Sequence, residues 1–207
     1  MKYDDYDNYY SYSEAKKEID NGQYLTPPFV TDFLMKCLNP GKEDIVMDLT
    51  GGIGVFANSM PVECNYYMNE IDIKAVKIAK SLYPEADITY GDIRDYYPKS
   101  KADIIVGNPP YNLKWKCFGK DMQSQYFYCL KAHEILNPGG VLALIVPGSF
   151  LNGEFTESAK IKEIEEKFSF ICQFDLPDTY FAASGVKKFN TKMMLFYANS
   201  KHLEKIP

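Results

Sequence analysis

Apolar residues in this chain fall into short runs that alternate with segments of helical spacing. Strand-like runs occur at 45–49 (IVMDL), 65–70 (NYYMNE), 87–90 (DITY), 103–107 (DIIVG), 141–146 (VLALIV), 169–175 (SFICQFD) and 192–198 (KMMLFYA). Three segments between them repeat their apolar residues every three to four positions. "PPFVTDFLMKCL" puts Phe29, Phe33 and Cys37, with Leu34 and Leu38, on one stripe; Thr26 is the expected N-cap and Pro27 the first helical residue. "DIKAVKIAKSLY" sets Ile73, Val76, Ala79, Ile78 and Leu82 in helical register behind a capping Asp72. "SQYFYCLKAHEIL" is expected to stop at Pro138-Gly139-Gly140. Strand and helix in alternation predict an α/β domain whose mainly parallel sheet carries helices on both faces. Residues 1–20 form a polar, tyrosine-rich tail with at most a short helix at "SEAKKEI", and 21–207 form the domain.

In such sheets ligands bind beyond the carboxyl ends of the strands. The first strand runs into Asp48-Leu-Thr50-Gly-Gly52-Ile-Gly54, where glycines permit a tight turn and close backbone approach. The Gly-Lys-Ser/Thr of a phosphate loop is absent. The second strand ends at Glu70, about twenty residues past the glycines, a spacing suited to ribose hydroxyls. The third ends at Asp92, a candidate acceptor for an adenine amino group, with Ile71 and Ile93 placed to sandwich the ring. The fourth ends at Asn108-Pro109-Pro110-Tyr111. Proline fixes its own φ and restricts the residue before it, so Asn108 and Pro109 are both constrained.

In order and content these segments resemble the N6-adenine DNA methyltransferases that use S-adenosylmethionine. "GQYLTPPFVTDFL", "VMDLTGGIGVFA", "MNEID", "GDI", "GNPPY", "NPGGVLALIVPGSFL" and "LPDTYFAASGVKKFNTKMMLFY" follow one another as in the class where cofactor motifs precede the catalytic one, covering about 22–198. The resemblance implies a Rossmann-like, seven-stranded class I methyltransferase sheet. It implies cofactor contacts from Tyr24, Thr26, Asp48, Thr50, Gly52, Gly54, Glu70, Ile71, Asp92, Ile93 and Asn108. It also implies a catalytic corner of Asn108, Pro109, Pro110 and Tyr111, with a second base-stacking aromatic, Phe181 or alternatively Phe189.

Adenine's exocyclic nitrogen is a poor nucleophile because its lone pair is delocalised. Two acceptors holding both amino hydrogens, the Asn108 side-chain oxygen and the Pro109 carbonyl, would favour a pyramidal nitrogen and stabilise charge growing there. Tyr111 would stack on the base, which must be flipped out of a duplex. Lys114, Trp115 and Lys116 combine charge and a ring as a strand-binding lip would, or form an ordinary surface loop. Glutamine amides and RNA adenines pose the same nitrogen problem, so protein-glutamine or RNA-adenine methylation is the alternative, and a non-catalytic cofactor-binding subunit the second.

Charge changes the picture. The chain is −5 at neutral pH, and Arg94 is its single arginine. A self-contained sequence-specific DNA reader is therefore not expected, and specificity is assigned to a partner subunit or a recognition domain elsewhere. Five dispersed cysteines and two histidines argue against a disulfide framework and against a metal site. No run approaches the ~20 apolar residues of a membrane span, and the acidic start is unlike a targeting signal, so a cytoplasmic location is expected.

Overall fold

A computed structural model describes residues 26–61, 64–111, 113–117, 119–177, 179 and 190–200. The 1–20 tail, Tyr24, Phe181 and Phe189 lie outside the described residues. In chain order the elements are α1 (Pro28–Leu38), β1 (Ile45–Asp48), β2 (Asn65–Glu70), α2 (Ile73–Leu82), β3 (Asp87–Tyr90) and β4 (Ala102–Gly107). Next come β5 (Lys114–Cys117), β6 (Lys120–Gln123), α3 (Ser124–Ile135), β7 (Leu136–Pro147), α4 (Ser158–Lys167), β8 (Phe168–Leu176) and β9 (Thr191–Ala198).

The central sheet has seven strands in the order β3-β2-β1-β4-β7-β9-β8. Pairings among β3, β2, β1, β4 and β7 are parallel, and β9 runs antiparallel to both its neighbours. The inner strands β1, β4, β7 and β9 are buried on both faces along most of their length, whereas the edge strands β3 and β8 are largely exposed. Along β4, Ile104 and Val106 enter the layer shared with α1 and α2, together with Leu34, Met68 and Val76. Ile105, one residue out of phase, enters the layer shared with α3 and α4, with Phe127, Ala132 and Ile164. The chain winds outward from β1 to β3, then returns to β4 on the other side of β1. That reversal leaves a crevice where β1 and β4 end.

The seven predicted strands are those of the central sheet, and several local expectations need correction. The N-cap of α1 is Pro27, with Pro28 as first helical residue, and no side chain caps it. Thr26 is drawn instead to the fourth strand end. The buried face of α1 is Val30, Thr31, Leu34 and Met35, whereas Phe29 and Phe33 are exposed, the latter packing edge-on against Phe174. Ile73 is likewise half exposed, and α2 buries Ala75, Val76, Ile78 and Ala79. Finally, α3 stops at Ile135, and β7 already begins at Leu136. Pro138-Gly139-Gly140 lies within that strand, at a register shift that pairs Ala102 with Leu136 and Ile104 with Val141. The 114–123 segment, with two aligned strands, is an antiparallel hairpin rather than an irregular loop.

Candidate active site

Four strand ends meet in the crevice. At the first, Asp48 is buried and its carboxylate accepts a 3.0 Å bond from the Thr50 amide. Burial, aided by the neighbouring Glu70, pushes its carboxyl up to about 8 despite that bond. The following turn closes through Gly54 N–H donating to Gly51 O at 2.9 Å. Gly52, at φ +60 with nothing within 4 Å of an added Cβ, opens its backbone to the cavity. Gly54 does not line the cavity. It faces the Tyr83 ring behind the turn, where its positive φ shapes the loop.

Glu70 ends β2, buried, and holds the loop in place. One carboxylate oxygen accepts from Gly52 N–H at 2.8 Å, the other from Asp72 N–H at 2.7 Å. Asp72 caps α2 through a 2.8 Å bond from Lys74 N–H. Asn69, which no motif singled out, fastens three strand ends together. Its amide donates to Leu49 O at 3.2 Å and to Gly91 O at 3.1 Å, while Gly51 N–H donates to its backbone oxygen at 3.0 Å.

Asp92 stands at the third end, but its carboxylate is already engaged. It accepts from Arg94 N–H at 2.8 Å and from the guanidinium through Nε at 3.0 Å and Nη2 at 2.5 Å. These bonds hold its pKa below the ordinary carboxylate range. An adenine amino group would therefore share this acceptor with Arg94. Ile93 is buried and Ile71 exposed, and both line the cavity.

At the fourth end, the Asn108 amide nitrogen donates to Thr26 Oγ1 at 3.1 Å, and the hydroxyl of Tyr111 donates to Asn108 Oδ1. The expected clamp is thus closed on its own tyrosine. The Pro110 carbonyl accepts from Ser124 Oγ at 2.5 Å, and Ser124 N–H donates to Leu113 O at 2.8 Å, which ties the corner to the start of α3. Trp115, on β5, packs edge-on against Phe127 at 5.7 Å and joins Leu113 in the cavity wall.

Together these ends enclose a cavity of about 330 Å³, reaching from Thr26, Asn108 and Tyr111 to Glu70, Ile71 and Asp92. Its residues are mixed: acidic side chains at three strand ends (Asp48, Glu70 and Asp92), Ile71 and Ile93 beside them, and open backbone at Gly52. The profile of the methyltransferase small domain family matches residues 15–173, most of the chain. The chain belongs to the methyltransferase small domain family. Among its relatives, Type II methyltransferase M.HincII of Haemophilus influenzae is 23% identical over 165 residues, covering 71% of this chain and 32% of that protein. An rRNA adenine N-6-methyltransferase of Limosilactobacillus reuteri is 29% identical over 104 residues, 47% of this chain and 43% of that one. The chain thus spans less than half the length of these curated relatives. Among solved structures, the type I restriction-modification system methyltransferase subunit from Streptococcus thermophilus superposes with a TM-score of 0.73 at 20% identity, over 92% of this chain and 48% of that chain. It shares the fold.

The cofactor of this methyltransferase domain is S-adenosylmethionine. The cavity fits it. Thr50 Oγ1 is buried without a partner among the described residues, an orphan acceptor and donor that a polar ligand would satisfy. The cavity is of small-ligand size. When bound, the cofactor supplies a methyl group made electrophilic by its sulfonium. Glu70 would take the ribose, Asp92 with Ile71 and Ile93 the adenine, and the Gly52 turn the remainder. Among the described residues no helix is long and apolar enough to cross a membrane.

Proposed function

We propose that this domain transfers the methyl group of S-adenosylmethionine to the exocyclic N6 amino group of an adenine flipped out of DNA. The observation that supports this most is the placement of Asn108. Its side chain sits on the cavity wall, held by Thr26 at one end and by the Tyr111 hydroxyl at the other. A substrate amino group would replace the tyrosine hydroxyl at Asn108 Oδ1, with the Pro109 carbonyl as second acceptor, and the released Tyr111 ring would lie on the base. No general base is needed before transfer, since the proton leaves more readily once the nitrogen is methylated. Holding acceptor and donor in line supplies the larger part of the rate.

Beside the corner, Lys114 and Lys116 are exposed on one face of β5 while Trp115 turns inward. That pattern suits a backbone-tracking ledge for the displaced strand. With a net charge of −5, target selection is assigned to a specificity partner, in line with the similarity to a type I restriction-modification subunit. RNA adenine is the second reading, favoured by the rRNA methyltransferase relative. Incubation with labelled cofactor and duplex DNA, single-stranded DNA, RNA or host protein tests both. Label on N6 of adenine in DNA, lost in Asn108→Ala, is expected. Label confined to RNA or to protein glutamine would replace this reading, and cofactor binding without transfer to any of them would make the domain a non-catalytic subunit.

A further inference from the structure

Tyr128, in the middle of α3, is fully buried, and its hydroxyl lies between the two strand ends that flank the crevice. It donates to Val106 O at 2.7 Å and accepts from Leu49 N–H at 3.1 Å. The β1–β4 register runs Val46 with Ile104, Met47 with Ile105 and Asp48 with Val106. Parallel ladders bond at even intervals, so the next rung would run directly from Leu49 N–H to Val106 O. The hydroxyl stands in that rung. Bridged at 3.1 and 2.7 Å through a tetrahedral oxygen, the two backbone atoms are held roughly 4.7 Å apart, against about 2.9 Å for a direct bond.

Position 107 shows that the insertion is matched from the other side. A Cβ on Gly107 would overlap the Tyr128 hydroxyl and lie 2.6 Å from Cζ, so only glycine admits the ring here. Leu49 leads at once into Thr50-Gly51-Gly52, and Gly107 into Asn108. We infer that Tyr128 is a positioning residue: its hydroxyl wedges β1 from β4 and sets the gap between the cofactor loop and the catalytic corner. This rests on the proposed methyl transfer for its kinetic consequence, but its structural content does not depend on which acceptor is used.

Removing the hydroxyl in Tyr128→Phe leaves the ring in place and lets Leu49 N–H bond Val106 O directly, pulling the corner toward the loop. The loop itself is anchored from β2 by Glu70 and Asn69, so cofactor affinity should change less than about threefold. The transfer rate at saturating cofactor and substrate should fall roughly ten- to a hundredfold, the sensitivity expected of an in-line reaction to a misplacement of an ångström or more. A ring that only fills space would lower the melting temperature and leave the rate per folded molecule unchanged; a rate within twofold of wild type overturns the inference. A second measurement needs no acceptor. Gly107→Ala should weaken cofactor binding and lower the melting temperature beside Tyr128, and much of both losses should be recovered in Gly107→Ala/Tyr128→Leu. Additive losses in that cycle would also overturn it. If wild-type protein fails to label adenine in DNA, the proposed substrate falls while the cycle still decides the wedge.

Discussion

Replacing Glu70 separates two tasks that one carboxylate performs. It accepts from Gly52 N–H at 2.8 Å and Asp72 N–H at 2.7 Å, which uses two of its roughly four lone-pair directions. Glu70 also lines the cavity, where a ribose would take the remaining two. Each charge-assisted bond to a carboxylate is worth about 1.5–3 kcal/mol. In Glu70→Ala both amides lose their acceptor and the sugar loses its own, so cofactor binding should weaken by about 2–4 kcal/mol, or roughly 30- to 1,000-fold in Kd. Glu70→Gln is the sharper probe. It keeps shape and volume but turns one acceptor into a donor facing an N–H or a hydroxyl, and should cost nearly as much affinity as alanine. Isothermal titration with S-adenosylmethionine gives the Kd, and melting without ligand reports the loss from the loop alone. A Kd within threefold of wild type in both variants would show that this carboxylate only fastens the glycine turn.

The other perturbations act on neighbouring groups. Arg94→Ala removes the guanidinium from Asp92, leaving only the backbone N–H of residue 94 on Oδ1, and should tighten cofactor binding severalfold, while Asp92→Asn should weaken it about tenfold; equal effects of one sign would show that the pair is structural. Tyr111→Phe keeps the ring and removes its hydroxyl bond to Asn108 Oδ1, so the transfer rate should hold or rise, whereas Asn108→Ala should lose at least about a hundredfold in a single-turnover assay. Burial raises the Asp48 carboxyl from an ordinary 3.8 to about 8, so across that window the native state keeps a proton that the unfolded chain has released. Stability should therefore fall as pH rises from about 4 to 8, by up to about 1.4 kcal/mol per unit, and Asp48→Asn should flatten the slope in denaturant titrations at several pH values.

The inner strands were legible because both of their faces are covered, which writes them as mainly apolar runs bounded by turn residues, and the exposed edge strands β3 and β8 because short β-branched or aromatic runs stand between turn signals. The acceptors at their ends were legible because each stands within a few residues of its strand. The start of α1 was misread because two prolines follow Thr26, and the buried threonine is held across the cavity by Asn108, 82 residues away, instead of capping its own helix. Apolar spacing put Phe29 and Phe33 on the stripe with Leu34 and left Val30 and Met35 out, although Leu34 is buried with those two. Both sets have helical spacing, and only the position of the sheet decides which faces inward. The occupancy of Asp92 by Arg94 was readable in principle, since the two are two residues apart across a strand end, but a lone arginine draws attention as a missing DNA reader rather than as a partner.

What motifs could not disclose is how the strand ends are kept in place, because the fasteners lie far from what they fasten. Tyr128 bonds Leu49 at a separation of 79 residues, Asn69 reaches 20 back to Leu49 and 22 forward to Gly91, and Ser124 reaches 14 back to Pro110. Each holds a strand end or the corner beyond it where the ladder has stopped, and each is buried. A side-chain bond differs from a ladder bond in one respect that matters for catalysis. It fixes a distance the ladder would not choose, and so holds open a crevice that backbone pairing would close. Methyl transfer needs its two reactants held in line, and that calls for a gap of fixed width. On this account the acceptors at 70, 92 and 108 define what is bound, while 69, 124 and 128 define how far apart the bound groups stand. Substitutions in the second set should therefore lower the transfer rate more than they lower cofactor affinity, the reverse of the order expected at Glu70 and Asp92.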